Sequence, residues 1–134
     1  MSALEVTSSQ IQGEFTATIL HLKGQLDRNT DEQLLDRARE AYEDGARRLL
    51  LDLSDVEILT SSGLHAIHTL FRLFTPKTEL DKVHQRKGEP YKSSYFKIVC
   101  PSPQVYYILN ITGFVQNIFI FNNMEDAIKS FDGQ

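Results

Sequence analysis

"RRLLLDLSDVEILTSSGLHAIHTLFRLFTP", residues 47–76, decides the fold. It opens with four leucines in five positions, Leu49, Leu50, Leu51 and Leu53. A short apolar run without alternation reads as a strand covered on both faces, as in the middle of an α/β sheet. "VEILTSSG" leads off that strand. From Gly63 to Phe74 the period becomes helical. Leu64, Ala66, Ile67, Leu70, Phe71, Leu73 and Phe74 fall in one half-circle, and His65, His68, Thr69 and Arg72 in the other. Pro76 ends the helix. A serine at this junction can cap the helix, which leaves exposed hydroxyls at a helix mouth with no chemical partner beside them.

Working outward, the same alternation recurs. "ALEVTSSQIQ" and "FTATILHLKG" read as two opening strands, with Gly13 near a hairpin turn between them. "GQLDRNT" breaks the pattern. Asn29 or Thr30 then caps a helix that carries Leu34, Leu35, Ala38, Ala41 and Tyr42 on its apolar side and stops at Gly45. After the quoted stretch, Pro76–Ser94 is polar and of mixed charge, an exposed loop or a frayed helix extension. "YFKIVC" is a buried strand. "PSPQVYYILNITG" is a helix with Ser102 as cap, Pro103 at its first position, and Val105, Tyr106, Ile108 and Leu109 on the core side. "VQNIFIF" is a last strand. "NMEDAIKSF" is a closing helix capped by Asn122 or Asn123. Strands alternating with helices imply an α/β fold with a mixed, mostly parallel sheet of about five strands and about four helices. The two opening strands supply one antiparallel pair.

The 134 residues are expected to form one domain, 1–134, with an insertion loop at about 76–94. The net charge of −4 and the lack of a basic tail argue against nucleic acid as partner. The single cysteine, Cys100, excludes an internal disulfide and reads as a small buried hydrophobe. No apolar run approaches the roughly 20 residues needed to span a bilayer, and the N-terminus does not look like a signal peptide. The expectation is a cytoplasmic protein without direct membrane insertion.

Three motifs in order carry a family resemblance: "GQLD" at 24–27, "LLLDLSDVEILTSSGL" at 49–64 and "CPSPQVYYILNITGFVQNIFIF" at 100–121. Together they resemble the STAS domain, the sulfate transporter and anti-sigma-factor-antagonist family. The likeness spans nearly the whole chain. It implies regulation through protein contact rather than catalysis, with no cofactor. In antagonist members a serine in the strand-to-helix turn is phosphorylated by an anti-sigma factor that is itself a serine-protein kinase. The unmodified antagonist holds that factor; the phosphorylated one, later restored by a phosphatase, lets go.

The resemblance makes Ser61 the candidate phosphoacceptor, with Ser62 and Thr60 as less favoured alternatives. The family's usual aspartate before that serine is Thr60 here, and the 76–94 loop is longer than usual. Asp27, Asn29 and Thr30 are expected near the turn, because both loops leave one edge of the sheet. The docking surface implied is Asp27, Asn29, Thr30, Thr60, Ser61, Ser62, Gly63, His65, Thr69 and Arg72. Gly63, lacking a side chain, would let another chain approach closely.

Competing readings stand beside these. The serines could be a cap and nothing more, and the polar helix face merely solvated. The protein could be a STAS scaffold that never takes phosphate, such as an accessory subunit of a transporter or sensory complex, or a homodimer. It could also sense a small ligand or nucleotide in a cleft at the strand ends. His65 and His68 lack an evident third metal ligand, and His21 and His84 have no predictable proximity. Enzyme readings fail on pattern. "TSSGL" lacks the first glycine of G-x-S-x-G, and no phosphate-binding glycine loop is present.

Overall fold

A computed structural model describes residues 3–12, 16–84, 88, 90–111 and 113–132. Five strands form one sheet in the order β1-β2-β3-β4-β5. They are β1 (Leu4–Ile11), β2 (Ala17–Leu26), β3 (Leu49–Leu59), β4 (Ser93–Val99) and β5 (Ile118–Phe121). β1 and β2 pair antiparallel; β2–β3, β3–β4 and β4–β5 pair parallel. The helices are α1 (Asp31–Glu43), α2 (Ser61–Phe74), α3 (Lys77–Leu80), α4 (Pro103–Ile111) and α5 (Met124–Lys129). Among the described residues, no helix is long and apolar enough to cross a membrane.

The leucine run explains the layering. Side chains alternate across a strand, so Leu49, Leu51 and Leu53 enter the larger core, under α1, α2 and α4. Leu50 points to the opposite face and joins Ile19, Val99, Ala127 and Phe131 beneath α5. The central strand is thus covered on both faces, as its sequence implies.

Several boundaries differ from the sequence reading. β3 runs on through "VEIL" to Leu59, because that segment stays paired with the end of β2. α2 begins at Ser61, two residues early, and its cap is Thr60 rather than a serine. The 76–94 stretch is not simply loop: it holds α3 and a 3-10 turn over Asp81–His84 before β4 starts at Ser93. With that short helix there are five α-helices among the described residues, in keeping with the about four expected. On α4 only Val105 and Leu109, four apart, are buried. Tyr106 is 43% exposed, contrary to its expected core position. Gly45 ends α1 at φ 112°, where L side chains are strained. Asn123 caps α5 by accepting from Asp126 N at 2.8 Å. The turn expected at Gly13 lies outside the described residues.

Candidate functional site

The site begins with a register pair. Leu26 ends β2 opposite Leu59, which ends β3. The next residues, Asp27 and Thr60, therefore leave the sheet side by side. Thr60 N donates to Leu26 O at 3.1 Å, tying the two exits together. Thr60 is extended (φ −106°, ψ 176°) and its Oγ1 accepts from Gly63 N at 3.4 Å. A β-branched residue suits the strand end, and its hydroxyl then serves as cap.

Ser61 and Ser62 occupy the first two positions of α2. Ser61 is exposed and Ser62 half-buried. Among the described residues, neither hydroxyl is hydrogen-bonded to another group. Because Thr60 performs the capping, the serines are not needed for it. The first-turn N–H groups carry the positive end of the helix dipole to the same place.

Gly63 corrects an expectation. It is buried, and the chain that approaches it is its own. A Cβ there would stand 2.6 Å from Leu26 O and 2.8 Å from Leu59 Cδ1. Gly63 seats α2 against the β2 exit.

The 27–30 loop is held by its own hydrogen bonds. Asp27 Oδ1 accepts from Asn29 N at 2.9 Å, an Asx turn. The Thr30 hydroxyl donates to Gln25 O at 2.8 Å and accepts from Asp27 N at 3.0 Å. Thr30 is 4% exposed. It sits at the N-cap of α1 but makes no side-chain cap bond, because its hydroxyl is turned back to the loop. Thr30 therefore belongs to the scaffold of the site, while Asn29 stays exposed and Asp27 half-exposed.

On α2, His65 and Arg72 are exposed and Thr69 is partly so, its hydroxyl donating to His65 O at 3.0 Å. His68 is half-buried and stacks on Phe71. Burial first, then the charges of Arg72 and His65, lowers its pKa and favours the neutral ring. Among the described residues, no group of three His, Cys, Asp or Glu side chains could hold a metal ion.

Sequence reasoning missed one polar chain. On the α5 face of the sheet, His21 Nδ1 lies 2.8 Å from Asp52 Oδ2, and His21 Nε2 lies 3.2 Å from Ser9 Oγ. Asp52 Oδ1 accepts from the Ser54 N–H and hydroxyl. The chain satisfies a carboxylate that is buried on the sheet. Only the β1–β2–β3 register brings these residues together.

Cys100 is buried, with its Sγ 3.7 Å from Ser102 O. Burial pushes its pKa up to about 11. At pH 8 roughly one part in a thousand is thiolate. Alkylation of the native protein at pH 8 is expected to run on the order of 100-fold slower than that of the urea-unfolded chain. Equal rates in a timed mass-spectrometric assay would refute this.

The comparisons agree with this geometry. The family profile described as "Mlab, STAS domain" matches residues 9–76, about half the chain, from β1 through α2. No curated protein matches the sequence. An anti-sigma factor antagonist from Mycobacterium paratuberculosis superposes with a TM-score of 0.74 at 19% identity, covering 96% of this chain and 94% of that one. The Bacillus cell fate determinant SpoIIAA, in its phosphorylated form, gives 0.60 at 17% identity, covering 93% and 97%. A variant of RsbS from Moorella thermoacetica gives 0.64 at 14% identity, covering 96% and 98%. At these identities the structural likeness is one of fold. With a five-stranded mixed sheet, a capped serine turn between β3 and α2, and a profile match that includes that turn, this chain belongs to the STAS domain family.

Proposed function

We propose that this STAS domain is a non-catalytic regulatory module, an anti-sigma-factor antagonist switched by phosphorylation of Ser61. The kinase is the anti-sigma factor it binds, and a phosphatase reverses the mark. One observation carries the reading: Ser61 is exposed, unbonded among the described residues, and placed at the first position of a helix that Thr60 already caps. Phosphate there meets the N-terminal dipole and open N–H groups, which favour it within the domain. Its roughly −1.5 to −2 charge repels an acidic partner surface packed over the turn and costs desolvation against an apolar one. Asp27, Asn29, Ser62, His65, Thr69 and Arg72 frame the contact. Thr60 stands where antagonists usually carry aspartate. Threonine caps α2 here and carries no charge.

The test is phosphotransfer with a serine kinase of the anti-sigma type. The wild-type domain is expected to gain the mass of one phosphate and Ser61→Ala none. Ser61→Asp, carrying one charge, is expected to weaken kinase binding about tenfold, or ~1.4 kcal/mol. Unchanged binding by Ser61→Asp, with no phosphate gained, would favour the second reading. In that reading the chain is a STAS accessory subunit that never takes phosphate. The missing aspartate favours it.

A further inference from the structure

We propose that a cavity at the far end of α1 from the Ser61 turn binds a phosphorylated sugar or polyol. The cavity measures about 550 Å³, within the range of small-molecule sites and larger than a bare phosphate needs. Arg37 on α1, Arg47 and Arg48 on the approach to β3, Thr18 on β2, and Glu40 and Asp44 at the end of α1 line it.

Two of the guanidiniums are fixed in advance. Arg37 Nη1 donates to Val6 O at 2.8 Å. Arg47 Nη1 donates to Tyr42 O at 2.7 Å and Ala46 O at 2.9 Å, and the guanidinium lies 3.9 Å over the Tyr42 ring. Each guanidinium has five N–H groups, so most donors remain. Among the described residues, no carboxylate lies within ion-pair distance of Arg37 or Arg47.

Thr18 adds an independent observation. It is 5% exposed, lines the cavity, and its hydroxyl has no hydrogen bond among the described residues. The hydroxyl keeps some access to the cavity, and a ligand hydroxyl or phosphate oxygen there would give it a partner.

The lining selects the ligand. Three guanidiniums against two carboxylates leave one positive charge, so an anion is favoured. A bare anion would leave Glu40 and Asp44 facing it, and a neutral polyol would leave Arg37 and Arg47 without an anion. A phosphorylated polyol answers both. Its phosphate takes bidentate bonds from Arg37 and Arg47, as guanidinium geometry prefers. Its hydroxyls donate to the two carboxylates and share a bond with Thr18.

Titration of the full chain with glucose 6-phosphate, followed by amide chemical shifts, tests this. Shifts are expected at Thr18 and Gly45, with affinity at least tenfold above that for inorganic phosphate or for glucose. Arg37→Gln and Arg47→Gln are each expected to weaken binding about tenfold. Thr18→Val, close in shape, weakens it while leaving the thermal midpoint near that of the parent, which separates loss of a ligand contact from loss of the fold. Vesicles with and without phosphatidylinositol phosphate distinguish a lipid headgroup from a free sugar phosphate, two sources of one chemistry. Absence of shifts at millimolar glucose 6-phosphate and no sedimentation with the vesicles would together overturn the proposal. So would phosphate binding as tightly as glucose 6-phosphate, or arginine variants that bind like the parent.

Discussion

Gly63→Val is expected to destabilise the protein by about 3 kcal/mol, the upper part of the range for overpacked sites. The clash is with backbone. A Cβ would lie 2.6 Å from Leu26 O and 2.9 Å from Leu26 Cγ. That carbonyl cannot swing away, because it accepts from Thr60 N and closes the end of the β2–β3 ladder. Nor can α2 retreat freely, since Leu64, Ala66, Ile67, Leu70 and Phe71 are all buried along it. The substitution must separate the two exits that form the site or lift the first turn of α2. Urea denaturation should show a lower midpoint with an unchanged slope. Ser62→Ala, one position away, should stay within ~0.5 kcal/mol of the parent. A Gly63→Val protein as stable as the parent would show that the helix is not seated on Leu26. Partner binding should fall with Gly63→Val although Gly63 is buried, because Asp27 and Ser61 lose their fixed relation.

What could be read from sequence here was local or periodic. The leucine run of β3 is apolar at every step because both faces are covered, and the apolar arc of α2 repeats at the helical period. The cap was not legible. "TSS" offers three hydroxyls, all suited to cap a helix. What selects Thr60 is where β3 stops pairing with β2, and that is a contact between positions 34 apart. Thr30 reads as an exposed helix cap and is instead a buried loop tie for the same kind of reason, a bond back to Gln25 O. Tyr106 fits an apolar helix face by spacing, yet α4 is short and meets the core along a single row, Val105 and Leu109. Arg37, Arg47 and Arg48 look like solvated charges on the flanks of two elements; only the fold gathers them around one cavity.

Lys97 is the strongest case of a residue hidden in an apolar strand. A lysine ordinarily keeps its ammonium in water, but Lys97 is 1% exposed. Its Nζ donates to Ser130 Oγ at 3.0 Å and Ser130 O at 3.2 Å, just past α5, and lies 4.3 Å from the Phe131 ring centre. Among the described residues, no carboxylate pairs with it. Burial, with Arg48 adding repulsion, lowers its pKa from 10.5 to about 8. A folded-state pKa below the unfolded value means that the unfolded chain binds the proton more tightly. Between pH 8 and 10.5 the unfolded state therefore carries more protons, and stability rises with pH across that window. Below pH 8 the full penalty applies, about 3 kcal/mol at one pKa unit per 1.36 kcal/mol. Lys97→Met should remove this slope, because the buried charge is gone while the chain length and the contacts with Phe131 remain. Urea midpoints measured from pH 7 to 10.5 check it, read as the difference between variant and parent so that the tyrosines and other lysines cancel. The advantage of the variant should shrink steadily as pH rises. A difference that is flat with pH would mean that the ammonium reaches solvent, and that α5 is held to the sheet by its apolar side chains without help from Lys97.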